Sequence, residues 1–166
     1  LTLSYEYTNL VRIYEFVHSY VIRTFVAQPN MECLFCKIAN KEILADVIGE
    51  NEDAIAILDI HPKASGHTMV MPKVHAETIL ELPDEKIEGV FLLVKQITEK
   101  LAKALSPDGF TIGLNHGKNA GQAIDHLHIH VIPRYRGDGG GSIHTIVDNP
   151  PKESLENIRT RILEIR

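Results

Sequence analysis

The stretch His126-Leu127-His128-Ile129-His130-Val131-Ile132 has a histidine at every second position and apolar residues between them. Successive side chains of a β-strand point to opposite faces, so this alternation predicts a strand over residues 127–132 with the imidazoles on one face. The apolar face would pack on the core, and the imidazoles would line a cleft or surface. Such a row suits covalent catalysis at phosphorus, with a neutral imidazole as nucleophile, and it also suits a metal site.

The pattern around this stretch predicts an α+β domain with a mainly antiparallel sheet. Short apolar runs predict further strands over residues 54–58, 67–71 and 110–114. Apolar residues spaced three or four apart predict a long amphipathic helix over residues 83–105 and a short C-terminal helix over residues 154–165.

The first 30 residues differ from the rest of the chain. Their apolar residues have helical spacing, and Arg12, Glu15 and Arg23 interrupt what could otherwise be a membrane segment. The sequence therefore predicts an N-terminal helical extension over residues 1–30, followed by a domain with a C-terminal tail over residues 31–166. We expect no catalytic role for the extension.

The composition excludes several classes of protein. The chain has 166 residues, of which 44% are hydrophobic, and 17 basic against 22 acidic residues give a net charge of −5. This charge argues against nucleic acid as a partner and against docking on anionic membranes. No apolar run reaches the roughly 18 residues of a membrane span. With no export signal and only two cysteines, we expect a cytoplasmic protein.

A second motif lies upstream of the histidine row. It reads Asp59-Ile60-x-Pro62-x-x-x-Gly66-His67-x-Met69-Val70-x-Pro72-Lys73-x-His75. Together, the two motifs resemble the histidine triad (HIT) superfamily, and the glycine-rich tail and the cysteine pair resemble its Hint/HIT branch. The resemblance covers residues 31–136. It implies a HIT-like α+β fold, in which a five-stranded, mainly antiparallel sheet carries the long helix, and it implies a homodimer.

The resemblance also implies an activity. His128 would attack the α-phosphorus of a purine nucleoside 5′-phosphoramidate, or of an aminoacyl adenylate, to form a nucleotidyl-histidine intermediate. Water would then release AMP or GMP. His130 and His67 would flank the nucleophile, hold the phosphate and handle protons, and His126 would complete the catalytic triad.

Further residues would bind the nucleotide. By the same resemblance, Asp59 would accept hydrogen bonds from the ribose, Ile60 would pack on the nucleoside, and Asn115, Gly121 and Gln122 would contact phosphate, as would His128 and His130. From the residues alone, Asp59 can equally be a turn former and Asn115 a loop residue. One position departs from the family, because Ala123 stands where many relatives have serine. This change leaves the preferred leaving group open.

The pair Cys33-Leu34-Phe35-Cys36 has three interpretations: a zinc site, a redox disulfide, or two reduced thiols. Zinc would need two more ligands. The resemblance implies His75 and His126 as those ligands, in a structural site that ties the N-terminal segment to the histidine row.

Two alternative functions stay open beside the phosphoramidase. One is a diadenosine polyphosphate hydrolase of the Fhit type, and the other is a zinc-containing nucleotide-binding or scaffold module with little turnover. A uridylyltransferase is disfavoured, because its third triad position is glutamine and the chain has His130 there.

Overall fold

The computed structural model describes residues 32–165, so the helical extension expected over residues 1–30 lies outside the described part. The elements in chain order are α1 (Leu34–Ala39), β1 (Val47–Glu50), β2 (Ala54–Leu58), β3 (Thr68–Pro72), α2 (Asp84–Leu105), β4 (Gly109–Gly113), β5 (Ile129–Arg134) and α3 (Leu155–Glu164). Single turns of 3-10 helix occur at Lys118–Ala120 and Ile143–Thr145.

The five strands form one sheet in the order β1-β2-β3-β5-β4, and every neighbouring pair is antiparallel. This confirms the predicted fold class. In the register of β3 with β5, Met69 lies opposite His130. The end of the histidine row therefore lies beside the loop that joins β2 to β3, which carries the second motif.

Two apolar layers cover the two faces of the sheet. Ala54 and Ala56 of β2 belong to the core under α2, whereas Ile55 and Ile57 of the same strand belong to a second cluster with α1. This division follows from the alternation of side chains along a strand. Helix α2 contributes five buried residues to this core, at the spacing of one helix face: Val90, Leu93, Val94, Ile97 and Leu101.

The strand predicted over residues 127–132 begins later, at Ile129, and continues to Arg134. Before Ile129 the backbone leaves the ladder, because the N–H of Leu127 donates to the carbonyl of Ala76 at 2.7 Å. The predicted apolar face is nevertheless present: Leu127, Ile129 and Val131 are all buried in the core under α2. The alternation of side chains thus extends beyond the strand that it predicted.

Residues 137–165 form a compact unit separate from residues 32–136. Helix α3 confirms the predicted C-terminal helix, and the Ser154 hydroxyl caps it by accepting the N–H of Asn157 at 3.2 Å. Among the described helices, none is long and apolar enough to cross a lipid bilayer.

Candidate active site

Three of the predicted histidines, His67, His130 and His128, lie next to one another in that order and form the row of the candidate site. The ring centroid of His130 is 5.1 Å from that of His128 and 5.1 Å from that of His67. His130 lies on β5, and His67 directly precedes β3, so the antiparallel register of these strands brings the two together. His67 and His128 are largely buried, with 4% and 6% of their surface exposed. The row is therefore part of the folded interior and not a loose surface cluster.

A backbone carbonyl fixes the tautomer of His128. Its Nδ1 lies 2.7 Å from the carbonyl oxygen of His126. A carbonyl only accepts hydrogen bonds, so Nδ1 carries the proton and donates it. In the neutral ring the lone pair is then on Nε2. That atom has the electronic state a nitrogen nucleophile requires.

Hydrogen bonds also determine which ring nitrogens of His67 and His130 carry a proton. The backbone N–H of Lys63 donates to His67 Nδ1 at 3.2 Å, and His67 Nε2 lies 2.9 Å from His130 Nδ1. With its Nδ1 accepting, a neutral His67 has its proton on Nε2 and donates it to His130. His130 then carries its own proton on Nε2. The row therefore combines a lone pair on His128 with an N–H donor on His130.

Burial keeps the flanking rings neutral. The pKa of His130 is lowered to about 4, chiefly by burial and then by the neighbouring His128 and His67, while the Asp59 carboxylate opposes the change. The pKa of His67 is lowered as well, chiefly by burial, although the Asp59 carboxylate opposes this change. Asp59 Oδ2 lies 3.4 Å from His67 Nδ1, a distance at which an ion pair forms only when His67 is protonated. Since burial disfavours that state, the hydrogen bond from Lys63 describes His67 better than the ion pair does.

The loop between β2 and β3 lines an open cavity of about 490 Å³ that includes His67. The loop closes through the N–H of Asp59, which donates to the carbonyl of His67 at 2.9 Å. Gly66, with φ +83°, makes the turn back towards β3. Asp59 and His67 both line the cavity, whereas Ile60 is 80% exposed. The structure thus places the three predicted residues of this loop around one opening or at its edge.

The predicted phosphate-contacting residues share a second loop. Gly121 has φ +90°, and the side-chain amide of Asn115 donates to its carbonyl at 3.4 Å. The amide of Gln122 donates to the carbonyls of Glu77 at 2.7 Å and Ile124 at 3.1 Å. Its oxygen accepts the N–H of Gly117 at 2.7 Å. Every polar atom of the Gln122 side chain therefore has a partner within the protein, and the residue braces the loop that precedes the histidine row.

The four predicted metal ligands converge on one point. Cys36 Sγ lies 3.3 Å from His75 Nδ1 and 3.5 Å from His126 Nδ1, and Cys33 Sγ lies 3.3 Å from the same His126 nitrogen. In a tetrahedral site with Zn–S of about 2.3 Å and Zn–N of about 2.0 Å, sulfur and nitrogen are about 3.5 Å apart. Both cysteines are buried and free of disulfides. The cluster could therefore hold a metal ion.

The hydrogen bonds of His126 suit it to ligation. Its Nε2 lies 2.9 Å from the carbonyl of Pro72, so that nitrogen carries the proton and Nδ1 presents its lone pair to the two cysteines. Burial lowers the pKa of His126 to about 4, which keeps this lone pair available. The ring is fully buried. Its two nitrogens thus face the cluster and the backbone, while its carbonyl orients His128.

The sequence did not indicate two groups that support the row. One is the Pro72 carbonyl, which orients His126, and the other is Phe35, whose ring centroid lies 5.2 Å from that of His128. A signal for Phe35 was present in the sequence. Phe35 lies between Cys33 and Cys36, which were predicted to share a metal ion with His126. Because His126 is two residues before His128, the segment that carries Phe35 must come close to His128.

The comparisons with known sequences agree on one family. The HIT domain family model matches residues 40–137, a span that contains His67, His128 and His130. An uncharacterized HIT-like protein of Methanocaldococcus jannaschii is 49% identical over 107 residues, which are 64% of this chain and 82% of that protein. The adenosine 5′-monophosphoramidase of Schizosaccharomyces pombe is 39% identical over 104 residues, 63% of this chain and 75% of that protein.

Solved structures give the same result. A HIT family protein from Bacillus anthracis superposes with a TM-score of 0.71 at 35% identity, covering 81% of this chain and 94% of its own. A Zn-bound histidine triad family protein from Mycobacterium smegmatis superposes with a TM-score of 0.61 at 31% identity. The match covers 82% of this chain and 99% of that protein.

Proposed function

Because the chain belongs to the HIT domain family, we propose that it is a nucleotide hydrolase that cleaves the P–N bond of purine nucleoside 5′-phosphoramidates. Two yeast relatives at 39% and 36% identity are named adenosine 5′-monophosphoramidases. The observation that carries the proposal is the tautomer of His128, whose hydrogen bond to the His126 carbonyl leaves the Nε2 lone pair free.

In the proposed first step, His128 Nε2 attacks the α-phosphorus and forms a new P–N bond. The bond between phosphorus and the leaving amine breaks, its electron pair stays with the amine nitrogen, and that nitrogen takes up a proton. The product is a nucleotidyl-histidine. In the second step water attacks the same phosphorus, the bond to His128 breaks, and the nucleoside monophosphate leaves.

His130 and His67 would handle the protons of both steps. The N–H on His130 Nε2 would hydrogen-bond the phosphoryl oxygens. Once the His130–His67 pair, joined by a 2.9 Å hydrogen bond, has taken up a proton, it would give that proton to the leaving amine and would receive one from the attacking water in the second step. Both rings are neutral near pH 7 in the free protein. An anionic phosphate bound against them favours the protonated form and so raises their pKa values when the substrate enters.

The nucleoside would bind at the loop between β2 and β3. Asp59 lines the cavity, and its carboxylate, whose Oδ1 accepts the N–H of His61 at 2.8 Å, would also accept hydrogen bonds from the ribose. The exposed Ile60 would pack on the nucleoside. Asn115, Gly121 and Gln122 would form the opposite wall against the phosphate. For Gln122 this contact requires the exchange of one of the two hydrogen bonds that its side-chain NH2 group donates.

We assign the Cys33, Cys36, His75 and His126 cluster to a structural zinc ion. Two sulfur and two nitrogen donors at tetrahedral spacing match the preference of Zn²⁺, and four protein ligands leave no open position for water. His126 would thus act in catalysis only through the support it gives to His128.

We also propose a homodimer. Among the described strands, β4 pairs only with β5 and has an open edge, on which Ile112 is 42% exposed. Helix α2 exposes Phe91 to 44% and Ile87 to 38% outside its core-facing stripe. A second copy placed against β4 and α2 would pair the open edge and cover this apolar surface.

The test is the release of AMP from adenosine 5′-phosphoramidate by the wild type and by His128→Ala. We expect the variant to lose at least about 10³-fold in rate, because the nucleophile is gone. His144→Ala, which removes a histidine of the separate C-terminal unit, is the matched control and should retain the wild-type rate. Diadenosine triphosphate is assayed alongside. Cleavage of the dinucleotide alone would identify a polyphosphate hydrolase, and AMP binding without turnover of either compound would identify a binding module.

A further inference from the structure

Phe35 lies between the two cysteines, in the first turn of α1, and only 3% of its surface is exposed. Its ring meets His128 edge to face, with centroids 5.2 Å apart and planes at 74°. It meets His126 in the same manner, at 5.8 Å and 83°. Edge-to-face contact within about 4.5–7 Å is a favoured arrangement of aromatic rings. One side chain thus contacts both the candidate nucleophile and a candidate metal ligand.

The contacts of His128 show what Phe35 adds. The hydrogen bond from Nδ1 to the His126 carbonyl fixes one point of the ring, and the torsion between Cβ and the ring is intrinsically broad. The ring of His130 also lies edge to face with that of His128, with planes at 78°. Phe35 supplies a further ring contact. A ring held by one hydrogen bond and two aromatic contacts keeps Nε2 in a single direction.

We propose that Phe35 is a positioning residue for His128, which it reaches from the turn that carries Cys33 and Cys36. This inference rests on the proposed role of His128 as nucleophile. The turn that carries Cys33 and Cys36 would then have two roles. It would provide two of the four metal ligands, and its Phe35 ring would hold the ring of His128 in place. The rate of the chemical step then depends on the placement of this turn.

The test compares Phe35→Leu with the wild type. Leucine preserves an apolar side chain in the buried cluster but removes the ring. Displacing a reacting atom by about 1 Å costs up to about 10²-fold in rate, so we expect kcat for adenosine 5′-phosphoramidate to fall between about 10- and 100-fold. KM is measured separately, so that a loss in kcat is distinguished from a lost substrate contact.

Ile55→Val is the matched control. Ile55 is fully buried in the same apolar cluster as Phe35, and the substitution removes volume there without touching an aromatic contact of the row. It should lower the thermal midpoint and leave kcat unchanged. The zinc content of Phe35→Leu is measured in parallel and should equal that of the wild type, so that any lost activity reflects the ring and not metal loss.

The second readout is the ¹⁵N chemical shift of the His128 ring nitrogens, which reports the tautomer without any substrate. We expect the wild type to have the proton on Nδ1. In Phe35→Leu the ring can rotate and move Nδ1 off the His126 carbonyl, so we expect this variant to populate both tautomers. Unchanged kcat and an unchanged tautomer in Phe35→Leu would overturn the proposal, as would a raised KM at constant kcat, which would make Phe35 a substrate contact. If the wild type cleaves no phosphoramidate, the proposed function fails, and the tautomer still decides the role of Phe35.

Discussion

The buried state of His130 predicts how the stability of the protein depends on pH. The pKa of this ring is lowered from 6.5 to about 4 in the folded protein, chiefly by burial. Between these values the unfolded chain binds a proton that the folded protein does not bind, so acidification favours unfolding. One pKa unit corresponds to about 1.4 kcal/mol, so the protein keeps its full stability above pH 6.5 and loses about 2 to 3 kcal/mol through His130 by pH 4.5.

The variant His130→Gln isolates this contribution. Glutamine does not titrate and retains a polar group towards His67, the ring that donates to His130. The free energy of unfolding is measured with urea at pH 7.5, 6.5, 5.5 and 4.5 for both proteins. Asp59, His67 and His128 act on His130 electrostatically and are present in both proteins, as is the metal cluster, so the part of their titration that does not depend on His130 cancels in the difference.

We expect the wild type to lose about 1 kcal/mol per pH unit more than the variant between pH 6 and 4.5. Parallel curves for the two proteins would mean that His130 has the same pKa in both states, and the neutral row inferred from its burial would then be wrong. A wild type that gains stability on acidification relative to the variant would mean that a carboxylate, of which Asp59 is the nearest, dominates the ring.

Two further predictions concern the metal and the assembly. Cys33→Ser should abolish stoichiometric zinc in elemental analysis and lower the thermal midpoint, because it removes one of four converging ligands; a fully loaded variant would refute the assignment. The double variant Phe91→Glu and Ile112→Lys places charges on the apolar surface beside the open edge of β4. In sedimentation we expect its mass to be the 18.6 kDa of one chain, where the wild type has twice that mass. A wild type that already sediments as a single chain would contradict the dimer.

The sequence predicted most reliably those elements that have a strong period. The core residues of α2 recur at helical spacing over 22 residues, and the histidine row alternates over seven, so their faces were correct even where the strand boundary was not. Helix α1 and strand β1 have six and four residues, and neither length holds enough repeats to define a period. Strand β1 is also half exposed, so its sequence lacks the apolar run by which β2 and β3 were predicted.

The sequence predicted candidate residues for the site but not their hydrogen bonds. Side chains that share a motif can be recognised from spacing, as His67 and His128 were. Two other side chains of the site are oriented by backbone carbonyls distant in sequence: Pro72 for His126, 54 residues away, and Glu77 for Gln122, 45 residues away. A carbonyl is present at every residue and leaves no trace in composition or spacing. Only the antiparallel packing of the strands selects which carbonyl faces which ring.

These carbonyls determine what the histidine row can do. Imidazoles are identical in sequence, yet the Pro72 carbonyl draws the proton of His126 to Nε2, and the His126 carbonyl draws that of His128 to Nδ1. The first ring consequently directs a lone pair from Nδ1 at the cysteines, and the second has a lone pair on Nε2. Two positions along the chain separate them, and the opposite tautomers suit the first ring to metal ligation and the second to nucleophilic attack. A substitution that reversed either tautomer would abolish the corresponding role while every histidine remained in place.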